Sequence, residues 1–499
     1  SSDVCSSDLT VLKDAASAAI YGTRGANGVI LVTTKKGSGE DGKVVVTYDS
    51  YAAMNIALPH AEVLSADEFR RSHRRSDYGA DTDWYSLLTR KVGYSVNQYA
   101  SVDTKTKTGY YGVSLNWKKG NGLDLKSGRE EYGGRFSMEQ YALDRRIMIS
   151  SSLTARKVHE EWGNDGLLDQ ALNMNPTLPV YNEDGSYYQP DSPTGASNPV
   201  NELLNIENNG DRWYVMGNAD LKWNILRRDE HNLSTQVSYA LQYNDLKSNY
   251  YAPSTTAGSY WGGYKGEAHI EYQKYLTHRV EWLGNYQMSL QDHDLKILVG
   301  YSWERYTNEG MYEMNRDFDF DQLLWHGIGN GSWLQDGKSN MWANKSESTL
   351  VGVFGRANYS WRNMLFVSAS IRYEGSTKFG VNHKWGAFPS VSAAWEMMEA
   401  KFMEPAKVAV NSLKPRISYG VTGRSDFSPY QSAPSYISSG SSYIDGKWVN
   451  GYMIASNANP DLRWEKSSSL NVGIDFEFLK SSLRGYVEFF DRRSPDNHL

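Results

Sequence analysis

The residues best suited to chemistry in this sequence are acidic. Asp317, Asp319 and Asp321 alternate with phenylalanines, so on a β-strand their carboxylates would share one face and could collect a cation. A calcium loop would continue with a glycine and a distal glutamate, and neither follows here. We therefore expect these aspartates to lie in a solvated loop, and we predict no metal site.

Adjacent glutamates at 130–131 and 160–161 could suggest a general acid paired with a general base. Neighbours in sequence point to opposite faces of a strand, so solvated loop charge is the better interpretation. The glycine-rich stretch 22–28 lacks the Gly-Lys-Ser/Thr ending of a phosphate loop, which favours a structural turn. Because no His-x-x-x-His pair and no Gly-x-Ser-x-Gly elbow occurs, the sequence predicts neither an enzyme nor a cofactor site.

The composition of the 499-residue chain argues against several classes of protein. Its net charge of -6 speaks against a nucleic-acid binder that neutralises phosphates. No apolar stretch approaches the ~20 residues of a transmembrane helix, so a membrane protein would have to cross with strands. The single cysteine, Cys5, excludes a disulfide framework. Aromatic residues reach 13%, and 44 glycines face only 14 prolines, which indicates many strands and turns.

Apolar and polar residues alternate with a period of two in many segments after residue 43. The alternation is clear in 213–223, 233–243, 413–421 and 470–478, each of which has one apolar and one polar face. We count about fifteen such strands. Their length of roughly ten residues suits the ~9–11 residues of a tilted membrane crossing.

The connections between these strands alternate between short and long. The short ones fall near 104–107, 142–144, 225–230, 291–294, 361–363 and 479–482. The long ones fall near 55–93, 158–211, 245–269, 307–346 and 425–464. The modest connections 118–130 and 375–384 and the extended segment 397–411 depart from the alternation. Short turns on one rim and long loops on the other are typical of an up-and-down transmembrane β-barrel.

A soluble all-β sandwich or propeller is the alternative interpretation of a period of two. Soluble strands average ~5–6 residues and propeller repeats recur every ~40–50 residues, and the sequence has neither pattern. Trp and Tyr also recur near strand ends, as they do in the aromatic girdles of membrane barrels. These positions are Trp117, Trp223, Tyr243, Trp303, Tyr359 and Trp361.

Residues 11–37 differ from the rest of the chain. An Ala-rich stretch suited to a short helix ends at Gly22 and leads into a buried-type strand at 29–34. This run closely resembles the end of the plug domain in the SusC/RagA family of TonB-linked outer-membrane proteins. Two later phrases, 174–185 and 459–466, also resemble that family, and the resemblance extends over essentially all of 11–499.

The resemblance implies a large antiparallel up-and-down barrel of about 22 strands that holds an α+β plug. Residues 11–41 would be the C-terminal end of the plug, and 42–499 a partial barrel with about 15 of those strands. Residues 1–10 depart from the family pattern, and we expect them to be a non-native scar. We also expect an internal fragment that lacks the N-terminal part of the plug, the TonB-contacting segment and the closing strands.

The resemblance also implies a function. Members of the family import oligosaccharides or peptides across the cell outer membrane, draw energy from the TonB complex, and pair with a SusD-like surface lipoprotein. One alternative is a TonB-dependent siderophore or cobalamin receptor, which shares the architecture; the phrases 174–185 and 459–466 favour the first function. An alternative of a different class is a soluble secreted β-rich carbohydrate-binding protein.

Aromatic residues in the long loops are the candidates for substrate binding, because aromatic faces stack on sugar rings. Loop packing or contact with the lipoprotein explains any single one of them more simply, and we favour that explanation. The candidates are Trp162, Tyr187, Tyr188, Trp261, Trp325 and Trp333, with Tyr260 and Trp342 beside them.

Overall fold

The computed structural model describes residues 6–12, 29–34, 41–72, 76–190 and 197–494. Most of them belong to one antiparallel sheet of 15 strands. The strands in chain order are β1 (Ser6–Leu12), β2 (Val29–Thr34), β3 (Val44–Ile56), β4 (Val92–Thr106), β5 (Gly109–Asn121), β6 (Gly128–Ala142), β7 (Ile147–Glu161), β8 (Glu207–Arg227), β9 (His231–Ala252), β10 (Glu267–Leu290), β11 (His293–Arg316), β12 (Asn340–Trp361), β13 (Leu365–Ser376), β14 (Trp385–Trp395), β15 (Val410–Arg424), β16 (Ser435–Ile444), β17 (Lys447–Ser456), β18 (Glu465–Phe478) and β19 (Leu483–Arg493).

The large sheet runs from β3 to β19 as a simple meander. Each strand pairs with the next along the chain, except that the separate hairpin β16–β17 is inserted between the neighbours β15 and β18. The connections alternate as predicted between a turn rim, with turns such as 107–108 and 291–292, and a loop rim, with loops such as 162–206 and 425–464. Segment 396–409 is the extended exception on the turn rim, again as predicted. The up-and-down antiparallel fold is therefore confirmed.

The prediction of ten-residue strands is wrong for the middle of the sheet. Strands β8 to β12 contain 21 to 24 residues each, about twice what a tilted crossing requires. The predicted loops 245–269 and 307–346 are correspondingly shorter, because β9, β10, β11 and β12 occupy their ends. This part of the sheet therefore rises well beyond a bilayer on the side of the loop rim.

The two faces of the sheet differ in chemistry near the turn rim. On β10, Val280 and Trp282 lie on an apolar face, and Trp282 keeps 42% of its surface exposed. Arg279 and Glu281 lie on the opposite, polar face. The register places Trp303 of β11 opposite Val280, so the apolar face continues across strands. All six predicted girdle aromatics lie on this apolar face by strand parity.

The apolar face becomes charged two residues above Trp303. Arg305 pairs with Glu347 at 2.7 Å, and Glu309 pairs with Lys345 at 3.2 Å and with Lys274 at 3.3 Å, all on the same face as Trp303. A lipid-facing surface does not carry such a network, because each charge would lose its hydration. The change from Trp303 to Arg305 therefore marks the upper limit of the lipid-facing band.

One junction in the sheet is weaker than the others. Strands β14 and β15 pair over five residues, Ser390–Ala394, whereas every other neighbouring pair in the large sheet spans at least eleven. Pro389, which has no N–H to donate, stands where the ladder stops. The 3₁₀ helices Met397–Glu399 and Lys401–Val408 fill the connection between the two strands.

Short helices lie in the loops on the loop rim. They are α1 (Ala66–Ser72), α2 (Trp84–Leu88), α3 (Asp165–Asn173), α4 (Pro199–Asn205), α5 (Ala257–Gly262), the 3₁₀ helix Leu324–Asn330 and α6 (Ser332–Gln335). Helix α4 begins at Asn198, whose side chain accepts hydrogen bonds from two backbone N–H groups, and Pro199 follows as its first residue. Among the described residues no helix is long and apolar enough to cross a membrane.

The described parts of loops 57–91 and 162–206 form one small lobe with its own core. Trp84 Nε1 donates to the carbonyl of Asn175 at 3.1 Å, and Thr82 Oγ1 donates to the carbonyl of Leu178 at 2.7 Å. Thr177 between them is fully buried. The phrase 174–185 therefore acts as a strip that joins the two loops. The core consists of Trp84, Leu88, Leu167, Ala171, Leu178, Val200 and Leu203.

The phrase 459–466 forms a strap that packs against the loop between β13 and β14 and against Phe388 on the polar face of β14. Trp464 is 2% exposed and packs against Phe379 and Phe388, and its Nε1 donates to the carbonyl of Lys384 at 3.1 Å. The amide of Gly380 donates to the carbonyl of Leu462 at 2.9 Å. The packing of Trp464 and the hydrogen bond to Leu462 therefore hold the strap in place.

Some expectations fall near or outside the described residues. Residues 11 and 12 end strand β1, so the expected helix is wrong there, and the rest of 11–22 and the glycines at 22–28 lie outside them. Strand β2 exists as predicted and pairs with β1. The division into 1–10, 11–41 and 42–499 stays a prediction.

Because the strap packs closely, we expect a single added methyl group to lower the stability of the protein. A Cβ on Gly380 would stand 2.0 Å from the carbonyl oxygen of Pro460, so Gly380→Ala must displace the strap backbone. We expect it to lower the free energy of unfolding by about 1–3 kcal/mol, measured from denaturant midpoints in detergent. Gly355→Ala is the control, because its nearest neighbour would be 3.7 Å away. Equal midpoints for both variants would contradict this account of the strap.

Candidate binding site at the loop rim

Four aromatic rings form a row across strands β9 to β12 on the polar face, above the lipid-facing band. Tyr250 and His269 have ring centroids 4.9 Å apart, His269 and Tyr312 are 5.5 Å apart, and Tyr312 and Trp342 stack at 5.8 Å with 15° between their planes. Tyr250 lies opposite His269 and Tyr312 lies opposite Trp342 in the strand register. His269 and Tyr312 are diagonal neighbours, because the residue opposite Tyr312 on β10 is Glu271. We call these four residues the aromatic row.

A concave region of about 260 Å³ lies beside the aromatic row. Trp162, at the end of β7, forms one wall, and its backbone N–H donates to the carbonyl of Asn208 at 2.9 Å. The indole lies over Gly210, where a Cβ would come within 2.3 Å of the ring. Glu271 and Ser248 add polar groups to the lining. The region therefore combines aromatic surface with a few hydrogen-bonding groups, as sites for polar organic ligands do.

A cation–π cluster lies at the upper end of the row, where the rings of Tyr264 and Trp333 meet edge to face at 5.5 Å. The Arg316 guanidinium lies 4.6 Å from the ring centre of Tyr264 and 4.7 Å from that of Trp333. Arg316 also forms an ion pair with Glu267, which accepts a hydrogen bond from Tyr264 at 2.9 Å. Burial, together with the Glu267 carboxylate, raises the pKa of Tyr264 to about 12, so this hydroxyl stays a donor at physiological pH.

The sequence-predicted loop aromatics fall into two groups. Trp162 and Trp333 lie at the aromatic row, and Trp342 belongs to it as part of strand β12 instead of a loop. The others pack within the loops or lie at the surface. Tyr187 and Tyr188 pack on the lobe core, Trp261 Nε1 donates to the carbonyl of Pro190, Trp325 packs near Tyr251 and Phe318, and Tyr260 is 59% exposed. A role in substrate binding stays a prediction for all of them.

Three members of the row were not singled out from the sequence. Tyr250, His269 and Tyr312 lie in segments that the alternation assigned to loops. The three residues share one feature that the sequence contains. Each lies an even number of positions from the polar residues of its own strand, so it continues the polar face.

The aspartates at 317–321 do not share a strand face, because β11 ends at Arg316. Asp317 accepts hydrogen bonds from Ser332 Oγ at 2.6 Å and from the Lys265 amide at 3.1 Å. Asp321 accepts from Tyr251 and Ser254, and Asp319 is exposed. Two of the three carboxylates thus hold loops in place. The solvated-loop interpretation holds only for Asp319.

The paired glutamates lie in strands, which corrects their interpretation as loop charge. Glu131 is 8% exposed on the polar face, between Arg129 at 3.0 Å and Arg156 at 3.4 Å. Glu160, on the neighbouring strand, also pairs with Arg129. Glu130 points to the other face. The pairs therefore split across the two faces, as neighbours on a strand must.

The hydrogen bonds to Asp317 predict a contribution to the free energy of unfolding that depends on pH. Its hydrogen bonds hold its pKa below the usual value, so their stabilisation is present above pH ~4 and is lost as pH falls further. Asn tolerates the positive φ of 65° at this position, so Asp317→Asn removes the charge without adding strain. We expect a loss of about 1 kcal/mol at pH 7 in the free energy of unfolding, and this loss should shrink as the pH falls below ~4 and Asp317 itself becomes protonated.

Asp319→Asn is the matched control, because Asp319 is exposed in the same segment. We expect no change in the free energy of unfolding between pH 3 and pH 7 for this variant, measured by denaturant unfolding in detergent. A deficit of Asp317→Asn that is the same at all pH values would show that its charge is not what matters.

Comparisons with known proteins agree with this architecture. The family described as TonB dependent receptor-like, beta-barrel, matches residues 162–496. TonB-dependent receptor P3 of Formosa agariphila is 28% identical over 98% of this chain and 49% of its own length. TonB-dependent receptor SusC of Bacteroides thetaiotaomicron is 27% identical over 98% of this chain and 50% of its own. The chain thus spans about half the length of these relatives.

Solved structures show the same fold. The RagAB peptide transporter structure matches with a TM-score of 0.77 at 19% identity, over 97% of this chain and 58% of that one. The siderophore receptor PirA of Acinetobacter baumannii matches with a TM-score of 0.52 at 13% identity, over 98% of this chain and 57% of that one. The apolar face of the sheet is therefore the lipid face and the polar face lines the lumen. The chain belongs to the TonB-dependent receptor β-barrel family and is an outer-membrane protein of the SusC/RagA type.

Proposed function

We propose that the protein to which this chain belongs imports oligosaccharides or peptides across the outer membrane, energised through the TonB complex. The observation that supports the proposal is the aromatic row on the lumenal face, which combines stacking surfaces with hydrogen-bonding groups above the lipid-facing band. Aromatic faces and polar groups together suit sugars and peptides. Under this proposal the protein is a transporter and not an enzyme.

A siderophore or cobalamin receptor is the second candidate, since it shares the barrel. Two observations favour the first. The fold resembles the RagAB peptide transporter more closely than the siderophore receptor PirA, with TM-scores of 0.77 and 0.52. The SusC/RagA-type phrases 174–185 and 459–466 are built into the lobe and the strap.

The proposed partner at the cell surface is a SusD-like lipoprotein. Long strands carry the mouth of the barrel above the membrane, and the lobe of loops 57–91 and 162–206 adds a folded platform beside it. A lipoprotein that captures ligand would deliver it there.

The direct test is uptake by cells that carry the complete receptor. Fluorescently labelled oligosaccharides and peptides of similar size are offered separately, with and without a TonB deletion. We expect one ligand class to accumulate in the periplasm and its accumulation to require TonB. Uptake that survives the TonB deletion would contradict active transport, and uptake of a ferric siderophore alone would favour the second candidate.

The aromatic row predicts the effect of a single ring. Trp342→Ala removes the ring that stacks on Tyr312, and an aromatic contact of this kind is worth about 0.5–1.5 kcal/mol. We therefore expect ligand affinity of the purified receptor to fall about two- to tenfold, measured by isothermal titration calorimetry with the transported ligand.

Tyr436→Ala is the control, because Tyr436 is an exposed aromatic of β16 that belongs neither to the row nor to the candidate loop aromatics. Its affinity should equal that of the unchanged receptor. If both variants lose affinity equally, the row has no special part in binding.

A further inference from the structure

A groove of about 540 Å³ opens on the lipid face of strands β3 to β8, far from the lumenal site. Its position follows from two adjacent rows of cross-strand neighbours. The lower row contains small residues: Ala100, Gly134 and Ala155, interrupted by Leu115 between the first two. The upper row contains Trp117, Tyr132, Lys157 and Trp213 side by side. Small side chains below large ones create the hollow.

The groove has large apolar residues on its other side. Val113, Phe136 and Leu153 form the next row toward the turn rim, and each is at least 41% exposed to the lipid side. The groove is therefore continuous with the lipid-facing band. Its natural occupant is a hydrocarbon chain that enters from the surrounding lipid.

Two of its aromatic walls are held in place by one carboxylate. Trp117 Nε1 donates to Glu130 Oε1 at 3.0 Å, and the Tyr132 hydroxyl donates to the same oxygen at 2.7 Å. Lys119 pairs with Oε2 of the same group at 3.2 Å. An ordinary girdle of Trp and Tyr needs no such fixing. Rings that are already fixed lose little side-chain entropy when a ligand packs against them.

A cation stands between the aromatic walls. Lys157 lies in the upper row between Tyr132 and Trp213, and its ammonium group has a loose ion pair with Asp211 at 3.5 Å. Lys157 is 45% exposed, so a phosphate can reach it without a desolvated charge being left behind. Aromatic faces beside an ammonium group are complementary to a phosphorylated sugar.

The groove lies at the outer end of the lipid-facing band. The row above it contains Lys119, Glu130, His159 and Asp211, so the face changes from apolar to charged one step beyond the aromatic walls. This change lies toward the loop rim, which is the outer side of a bacterial barrel. A lipid bound here would have its headgroup at the upper row and a chain over the small residues.

From these features we propose that the groove is a binding site for a phosphorylated glycolipid of the outer leaflet. One acyl chain lies over Ala100, Gly134 and Ala155, the sugar rests against Trp117 and Trp213, and Lys157 meets the phosphate. Lipid tails are as apolar as the groove, so affinity comes from the shape of the hollow, its fixed walls and the lysine.

The test uses the complete receptor extracted from its own outer membrane in a mild detergent. Native mass spectrometry and lipid analysis measure how much glycolipid and phospholipid stay bound per receptor. We expect about one glycolipid on the unchanged receptor. Ala155→Phe fills the hollow and should lower retained glycolipid about fivefold. Lys157→Gln should lower it by a similar factor through the lost charge.

Ala369→Phe is the matched control, because Ala369 is an exposed alanine on the lipid face of β13, far from the groove. It should retain as much glycolipid as the unchanged receptor, and all variants should keep equal unfolding midpoints. Equal retention by Ala155→Phe and the control would overturn the proposal. Retention of phospholipid alone, lost on Ala155→Phe, would also overturn it, since the proposal names a glycolipid.

Discussion

Backbone pairing inside lipid is the constraint on which this structure depends. Water is absent from the hydrocarbon region, so each N–H and C=O must find its partner in the sheet. Between neighbouring strands a meander satisfies this with the shortest connections, and the outer edges of β3 and β19 are the two places in the described sheet where no strand pairs. The ladders between β3 and β14 run for eleven residue pairs or more. Only the β14–β15 junction is short, and there the strap and two 3₁₀ helices cover the adjacent chain.

The long strands β8 to β12 cross two environments with one backbone. Near the turn rim their outward side chains are apolar, and above Trp303 the same face carries the Arg305–Glu347 and Lys345–Glu309 ion pairs. On the inward face aromatic rings gather above the band, where they form the aromatic row. One set of strands thus supplies the membrane anchor and the wall of the mouth.

The sequence permits the meander to be predicted because alternation with a period of two is strong wherever lipid faces one side. The same argument explains the error in strand length. Above the band the outward face is charged and the inward face mixes aromatic with polar residues, so β9 to β12 lose the alternation and resemble loops. The aromatic row was missed for another reason. Its members come from four strands and are 92 positions apart from first to last, from Tyr250 to Trp342, and only the register brings them together. The loop aromatics were recognisable as a class, but packing partners such as Pro190 for Trp261 are set by tertiary contacts.

Under the proposed function, the height of the aromatic row sets a length scale for the transported ligand. Tyr312 lies eight residues above Glu304, at the upper limit of the lipid-facing band, which is roughly 20 Å along the barrel axis for a strand tilted by ~40°. An extended peptide covers that height with about six residues. A shorter cargo that rests on the row is enclosed by protein entirely outside the membrane plane, whereas a longer one already extends into the transmembrane part of the lumen. The distance between the lipid-facing band and the aromatic row therefore determines which ligand lengths reach the transmembrane part of the lumen while bound at the row.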